Sequence, residues 1–366
     1  MKAKKFVLYV VSLTILIPIS YFIIIDVLLA KEHDEVSLSY KKFLLDNVSG
    51  KRLLVDSGSN SNTGIDPSIL EKRLGLPVIN IADHAGFPLY YKFLVLINNA
   101  RRGDTVLLPL EWHHYSDEKF DREFLIWILS GHAPYYYRQL DLYKRIGFVF
   151  ERISIRTFYK SLEYRIKNYS SLQSNASINN RLRTYIKHIE NNDGNSFGSG
   201  LGFAASKDDH LSGVTCDDYI LRFMNNRPLE IGGHISDLLD MLKLLEAKGV
   251  RVVFTWPSVV ARNGVSCYST PDKQEDFLAF EKNIRNLIQG HGFTIIGEPK
   301  SSAFSEKYYR DTPYHLNKDG AQIRTARLAE LLSVSGVVNR NDGYMPGDAL
   351  KELKLRLRGL HIQYSE

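Results

Sequence analysis

The sequence predicts an α/β protein: a parallel sheet with helices on its faces, interrupted by one long insertion and preceded by a single membrane-crossing helix. Short apolar runs alternate with helix-like segments, as parallel sheets require and hairpins do not. Residues 111–249 separate the third run from the fourth, 139 residues, far more than an ordinary connection. The first thirty residues hold one long apolar stretch behind three lysines.

At 366 residues, with 44% hydrophobic and 24% charged content, the chain has the composition of a globular protein rather than a disordered one. Its net charge of +6 and pI near 9.0 come from dispersed basic residues with no accompanying DNA or RNA motif, so no nucleic-acid partner is expected. No Cys/His cluster has zinc spacing, and the adjacent His113 and His114 point in different directions in either a helix or a strand. Neither a metal nor a cofactor is expected.

Lys2, Lys4 and Lys5 precede Phe6 to Ala30, which is interrupted only by Pro18 and Asp26. A helix of that length crosses a bilayer, and Leu28-Leu29-Ala30 lacks the Ala-x-Ala-like site of a cleaved signal peptide. Residues 6–30 therefore read as a signal anchor, with residues 1–5 in the cytoplasm and the rest outside it, periplasmic in a Gram-negative cell. Cys216 and Cys267 allow at most one disulfide, which suits an exported chain.

Five apolar runs are expected as strands: Arg52–Val55, Pro77–Ile81, Thr105–Leu110, Val250–Phe254 and Phe293–Ile296. Helices are expected at Asp66–Leu74, Pro88–Ala100, Ile235–Lys248, Gln274–Gln289 and Asn317–Leu332. Asp66 before Pro67 is an N-cap followed by proline at the first helical position, and Gly249 ends the helix before the fourth strand. The α/β domain then comprises residues 31–116 and 213–335, with residues 117–212 inserted.

The first half of the insertion is aromatic and basic, with Tyr135-Tyr136-Tyr137, Arg152, Arg156 and Arg165; the second, Ser170–Ser212, reads as a loop. That first half suits sugar rings or anionic glycans, and an amphipathic helical pair packed on the sheet would show the same composition. In the tail, residues 336–366, Leu350, Leu353, Leu357 and Leu360 recur at helical spacing among basic residues. Such an amphipathic helix docks on the domain, on anionic lipid or on a partner.

Functional groups of an open parallel sheet gather beyond the carboxyl ends of its strands. There the sequence places Asp56-Ser57-Gly58-Ser59-Asn60, Asp83-His84-Ala85-Gly86, Glu111-Trp112-His113 and Trp256-Pro257-Ser258. Near the far end stands Asp311-Thr312-Pro313-Tyr314-His315-Leu316-Asn317. A serine, a histidine and a carboxylate make a nucleophile, its base and the group that orients the base. The same serines and Asn60 also suit a plain strand-to-helix turn.

In motif order the chain resembles the SGNH, or GDSL-like, hydrolase superfamily, particularly its membrane-anchored members associated with exported polysaccharides and cell envelopes. Ser57-Gly58-Ser59-Asn60 falls where that family carries Gly-Asp-Ser-Leu, and Asp311 and His315 match its final acid and base. The similarity covers Arg52 to Leu110 and Val250 to Leu332. It implies a three-layer flavodoxin-like sheet, Ser59 as nucleophile with Ser57 and Ser61 as alternatives, His315 as base and Asp311 as its partner.

The acid and histidine are four apart rather than three. The third-strand turn reads Glu111-Trp112-His113-His114 where the family has Gly-x-Asn-Asp, so oxyanion donors are sought at Asn60, Asn80, His113 or the backbone amides after Ser59, with Glu111 a substrate-binding candidate beside them. The resemblance implies acyl transfer on an envelope glycan or exopolysaccharide, as an acetylesterase or O-acetyltransferase. An acyl group handed over by a multipass membrane acyltransferase is part of that expectation. The alternative from another class is a catalytically silent binding or assembly subunit of an exopolysaccharide machine.

Overall fold

The computed structural model describes residues 2–31, 36–116, 122–129, 134–167, 230–262, 265–266, 274–310, 312, 314–338 and 344. Cys216, Cys267, the 170–212 segment, Asp311 and the 350–360 tail helix lie outside these residues. The chain divides into two compact units, residues 1–39 with 121–182 and residues 40–120 with 183–366.

In chain order the first elements are α1 (Lys2–Lys31), α2 (Val36–Asn47), β1 (Leu53–Val55), α3 (Ser59–Asn62), α4 (Pro67–Leu74), β2 (Val78–Asn80), α5 (Leu89–Asn99) and β3 (Thr105–Leu108). Five helices follow: α6 (His113–Ser116), α7 (Arg122–Leu129), α8 (Pro134–Arg138), α9 (Leu142–Arg152) and α10 (Ile155–Lys167). After residue 229 come α11 (His234–Ala247), β4 (Arg251–Phe254), β5 (Val259–Arg262), β6 (Val265–Ser266), α12 (Gln274–Gly290), β7 (Thr294–Ile295), β8 (Ala303–Ser305) and α13 (Lys318–Val334).

In the first unit, α1 is long and apolar enough to cross a membrane, and Phe6 to Ile19 leave their large side chains uncovered. Its last turns are covered by α8, α9 and α10. Ile25 and Leu29 are buried, Tyr21 meets the ring of Phe158 edge-on at 6.0 Å, and the Tyr137 hydroxyl donates to Asp26 at 2.7 Å. Tyr135, Tyr136 and Tyr137 are all buried, Tyr136 against Phe124 and Tyr137 against Phe148, so the tyrosine run packs the interior of this unit and presents no rings to a glycan.

The second unit is built on a five-stranded, wholly parallel sheet of order β2-β1-β3-β4-β7. This is the flavodoxin-like order, with α4 and α13 packed together on one face and α5 and α11 on the other. Alternation along each strand explains both faces. Leu53, Val55, Val78, Leu107 and Val253 join Leu70, Leu74, Leu328 and Leu332 in one core, while Leu54 and Val106 turn to the opposite side.

The five strands and their helices fall within about two residues of the boundaries expected from sequence, the usual spread at element ends. The third strand stops at Leu108 rather than Leu110, because Pro109 has no N–H for the ladder. Two features went unforeseen. Helix α2 leads into β1, and a small second sheet, β6-β5-β8, follows the turn after β4. Its strands have only two to four residues each, too few for a periodic signal.

At the amino edge of the large sheet a fully buried ion pair closes the unit. Arg52 Nη2 reaches Asp104 at 2.7 Å, and the guanidinium also donates to Leu45 O at the end of α2 and to Asn99 O at the end of α5. Replacing Asp104→Ala leaves that cation buried without its counter-charge, and urea unfolding of the full chain in detergent should lose about 3–5 kcal/mol. The double variant Arg52→Met/Asp104→Leu should recover most of it. A loss within experimental error for Asp104→Ala would mean that the pair does not hold this edge.

Candidate active site

The carboxyl edge of the sheet gathers the turns singled out by sequence. Val55 ends β1, and Gly58 N-caps the four-residue helix α3 that Ser59 begins. Glycine is required there by crowding. A Cβ on Gly58 would stand 2.3 Å from Glu111 Oε1 and 2.4 Å from the Cα of Ala85.

The three serines of this turn differ in what their hydroxyls do. Ser57 and Ser61 are completely buried, Ser57 Oγ donating to Ser61 Oγ at 2.6 Å. Ser59 is half-buried, and its hydroxyl makes no hydrogen bond among the described residues. The neighbouring Asn60 is fully buried. Its amide donates to Ser57 Oγ at 3.3 Å and to Pro109 O at 3.1 Å. Asn80, also fully buried, donates to Ser61 O and Ile65 O and accepts from the Ala82 N–H. Both amides therefore spend their hydrogens inside the fold, and neither side chain has one to give a substrate in this arrangement.

Glu111, just beyond β3, is fully buried and accepts the Gly58 N–H at 3.0 Å and the Asn60 N–H at 3.3 Å. Burial alone pushes its carboxyl up, but contact with His114, the fields of His114 and His113 and a hydrogen bond from Asn60 hold it well below the carboxylate range. His114 is itself driven down to about 4 by burial and by His113, against the pull of Glu111, so at neutral pH it is uncharged. His113 Nε2 stands 2.9 Å from Ala85 O. The residues expected after β1 and β3 are thus brought together, with a carboxylate on the Gly58 and Asn60 amides that flank Ser59.

His315 lies on a loop whose base is closed by an antiparallel bridge between Tyr309 and Leu316 and by the Arg310 N–H donating to His315 O. The Thr312 hydroxyl accepts the Tyr314 and His315 N–H groups, and Ser258 Oγ, after β4, donates to Tyr314 O at 3.1 Å. Asn317 ends the loop as the N-cap of α13, accepting from Gly320 N at 3.0 Å. Parallel pairing of β5 with β8 leads the chain into this loop, so the small sheet unforeseen from sequence supports the His315 loop.

Sequence reasoning also missed three buried cations, Arg324, Lys41 and Lys92. Arg324 on α13 donates to Asn60 O at 2.7 Å, to Asn60 Oδ1 at 2.9 Å and to Trp256 O at 3.4 Å. Burial lowers its pKa to about 10, opposed by the charges of Tyr309 and Glu111, and it remains a cation at neutral pH. Asp56, Asp83, Lys41 and Lys92 cluster behind the turns, with Lys92 paired to Asp83 and donating to Ser57 O at 3.0 Å. The available signal for Arg324 was its place on the buried stripe Ala321-Arg324-Thr325-Leu328 of α13.

No protein-family model and no curated protein sequence matches this chain. Among solved structures it is similar to protein YxiM of Bacillus subtilis, with a TM-score of 0.33 and 11% identity over 80% of this chain. The chain spans 58% of that protein's length. The fold itself rests on the strand order, an α/β arrangement with a five-stranded parallel sheet.

Two of the buried groups oppose one another in acid. Burial raises Asp56 from 3.8 to about 7 against the charges of Lys92 and Lys41, so its contribution to stability is lost as pH rises through that interval. His114, lowered from 6.5 to about 4, has a contribution that is lost as pH falls through its own interval. Replacing Asp56→Asn removes one slope and leaves the other. The urea midpoint of that variant should drop more steeply than wild type as pH falls from 6.5 towards 4. Parallel curves for the two proteins would refute the opposed titrations.

Proposed function

We propose that this chain carries out serine-dependent acyl transfer, with Ser59 as nucleophile, His315 as general base and then acid, and Asp311 as the group that orients His315. One observation carries the proposal: of the three serines in the β1 turn, only Ser59 keeps a free hydroxyl, at the carboxyl edge of a parallel sheet. The approach of Asn60, Trp256 and Tyr314 through Arg324 and Ser258 supports it by drawing the nucleophile turn and the base loop onto a common framework. Water as acceptor makes the reaction an acetylesterase, and a sugar hydroxyl makes it an O-acetyltransferase. An envelope glycan or exopolysaccharide is the proposed acceptor, and a multipass membrane acyltransferase the proposed donor partner. Lys2, Lys4 and Lys5 at the start of α1 favour placing the catalytic unit outside the cytoplasm.

Glu111 favours a second reading, a silent binding or assembly subunit. A tetrahedral oxyanion beside Ser59 needs donors, and the Gly58 and Asn60 amides face a carboxylate instead. Two unit charges about 4 Å apart repel by roughly 4 kcal/mol at an effective dielectric of 20, enough to suppress turnover about a thousandfold.

The full chain, incubated with a chromogenic acetyl ester and an acetylated glycan, separates these readings. Wild type should turn over both, and Ser59→Ala and His315→Ala should each lose at least about a hundredfold while staying folded. Glu111→Gln should raise the rate by about tenfold or more by removing the opposing charge. Equal rates in wild type, Ser59→Ala and His315→Ala would remove the proposed mechanism and leave the binding reading.

A further inference from the structure

Helices α9 and α10 of the first unit expose a run of large apolar side chains. Leu142 is 64% exposed, Tyr143 85%, Phe150 49%, Ile155 78%, Tyr159 67% and Ile166 68%. On α10, Ile155, Tyr159, Leu162 and Ile166 recur at helical spacing and form one exposed stripe. A soluble surface seldom carries so much contiguous apolar area without something to cover it. The same two helices carry seven Lys or Arg residues against two Glu, the composition of helices that lie on anionic lipid.

Their attachment to α1 fixes their level. Starting from Phe6, twenty residues of helix span roughly the 30 Å of a bilayer's hydrocarbon core, which brings Asp26 to its boundary. At that boundary Asp26 accepts from the Tyr137 hydroxyl at 2.7 Å and pairs with Arg145 of α9 at 3.6 Å. One helical turn deeper, the Tyr21 hydroxyl donates to Ile153 O, at the corner between α9 and α10, at 2.9 Å. Tyr21 lies five residues before Asp26, about 7 Å along the axis, within the 5–10 Å to which interfacial helices sink.

We propose that α9 and α10 lie in the surface layer of the bilayer that α1 crosses. Their exposed apolar side chains rest among the outer acyl carbons and their basic residues face the phosphates. The membrane holds this protein through a spanning helix and a flat helical pair clasped to it, and the surface belongs to lipid rather than to glycan.

The test uses the full chain with Cys216 and Cys267 replaced by serine, one copy per nanodisc of phosphatidylcholine and phosphatidylglycerol. A nitroxide is attached in turn at Tyr143→Cys, Phe150→Cys, Ile155→Cys and Tyr159→Cys, with Lys243→Cys on exposed α11 as the aqueous reference. Power saturation compares collision with oxygen, which partitions into lipid, against a water-soluble nickel chelate. The oxygen-to-nickel ratio at the four sites should exceed that at the reference several-fold. Ratios equal to the reference would overturn the proposal. Protection that appears only in discs holding two copies would also overturn it and assign the face to a second chain.

Discussion

A single buried guanidinium organises the carboxyl edge of the sheet. Arg324 leaves the buried stripe of α13 and meets the backbone and side chain of Asn60 and the carbonyl of Trp256. Only a planar fork with several donors satisfies acceptors lying in different directions, and a lysine ammonium would not. Its charge faces the Glu111 carboxylate across the same turn, so the two ions offset one another inside a shell that admits little water. The position of Ser59 is therefore set from three sides: by β1 behind it, by Glu111 on its flanking amides, and by α13 through Asn60. Stacking of Trp112 on Trp256 at 5.3 Å joins the β3 and β4 turns beside it.

Much of this was legible in the sequence, for identifiable reasons. The runs at Leu53, Val78, Thr105 and Arg251 are short, apolar and rich in branched residues, and those are local properties of a buried parallel strand. Asp66 and Asn317 announce their helices by capping chemistry that acts over three residues. The serine turn was singled out because position at a strand end is itself information, and the His315 loop by the order of its residue types before the last helix.

What escaped is what depends on distant partners. Lys92 stands in an apolar helix, Leu89–Asn99, where sequence alone says that a lysine stem reaches for solvent; its ammonium instead meets Asp83 and the Ser57 carbonyl. Asn60 and Asn80 looked like donors awaiting a ligand because nothing local shows that Pro109, Ser61 and Ile65 claim their hydrogens. Likewise the role of Glu111 follows from where Gly58 approaches it, a contact across more than fifty residues of chain.

The unit that holds α1 is discontinuous in sequence, since its covering helices arrive only with residues 122–167. During synthesis α1 is therefore made before the partners of Asp26 and Tyr21, namely Tyr137, Arg145 and Ile153, exist. Roughly 135 residues pass before Ile153 and Arg145 can reach them, about ten to thirty seconds at ordinary elongation rates. The sheet strands β1, β2 and β3 are made in that interval, ahead of the parts that finish the anchor. Synthesis thus runs from α1 to the sheet strands and back to the helices that cover α1, and the contact at Asp26 can close only after about two fifths of the 366 residues have been made.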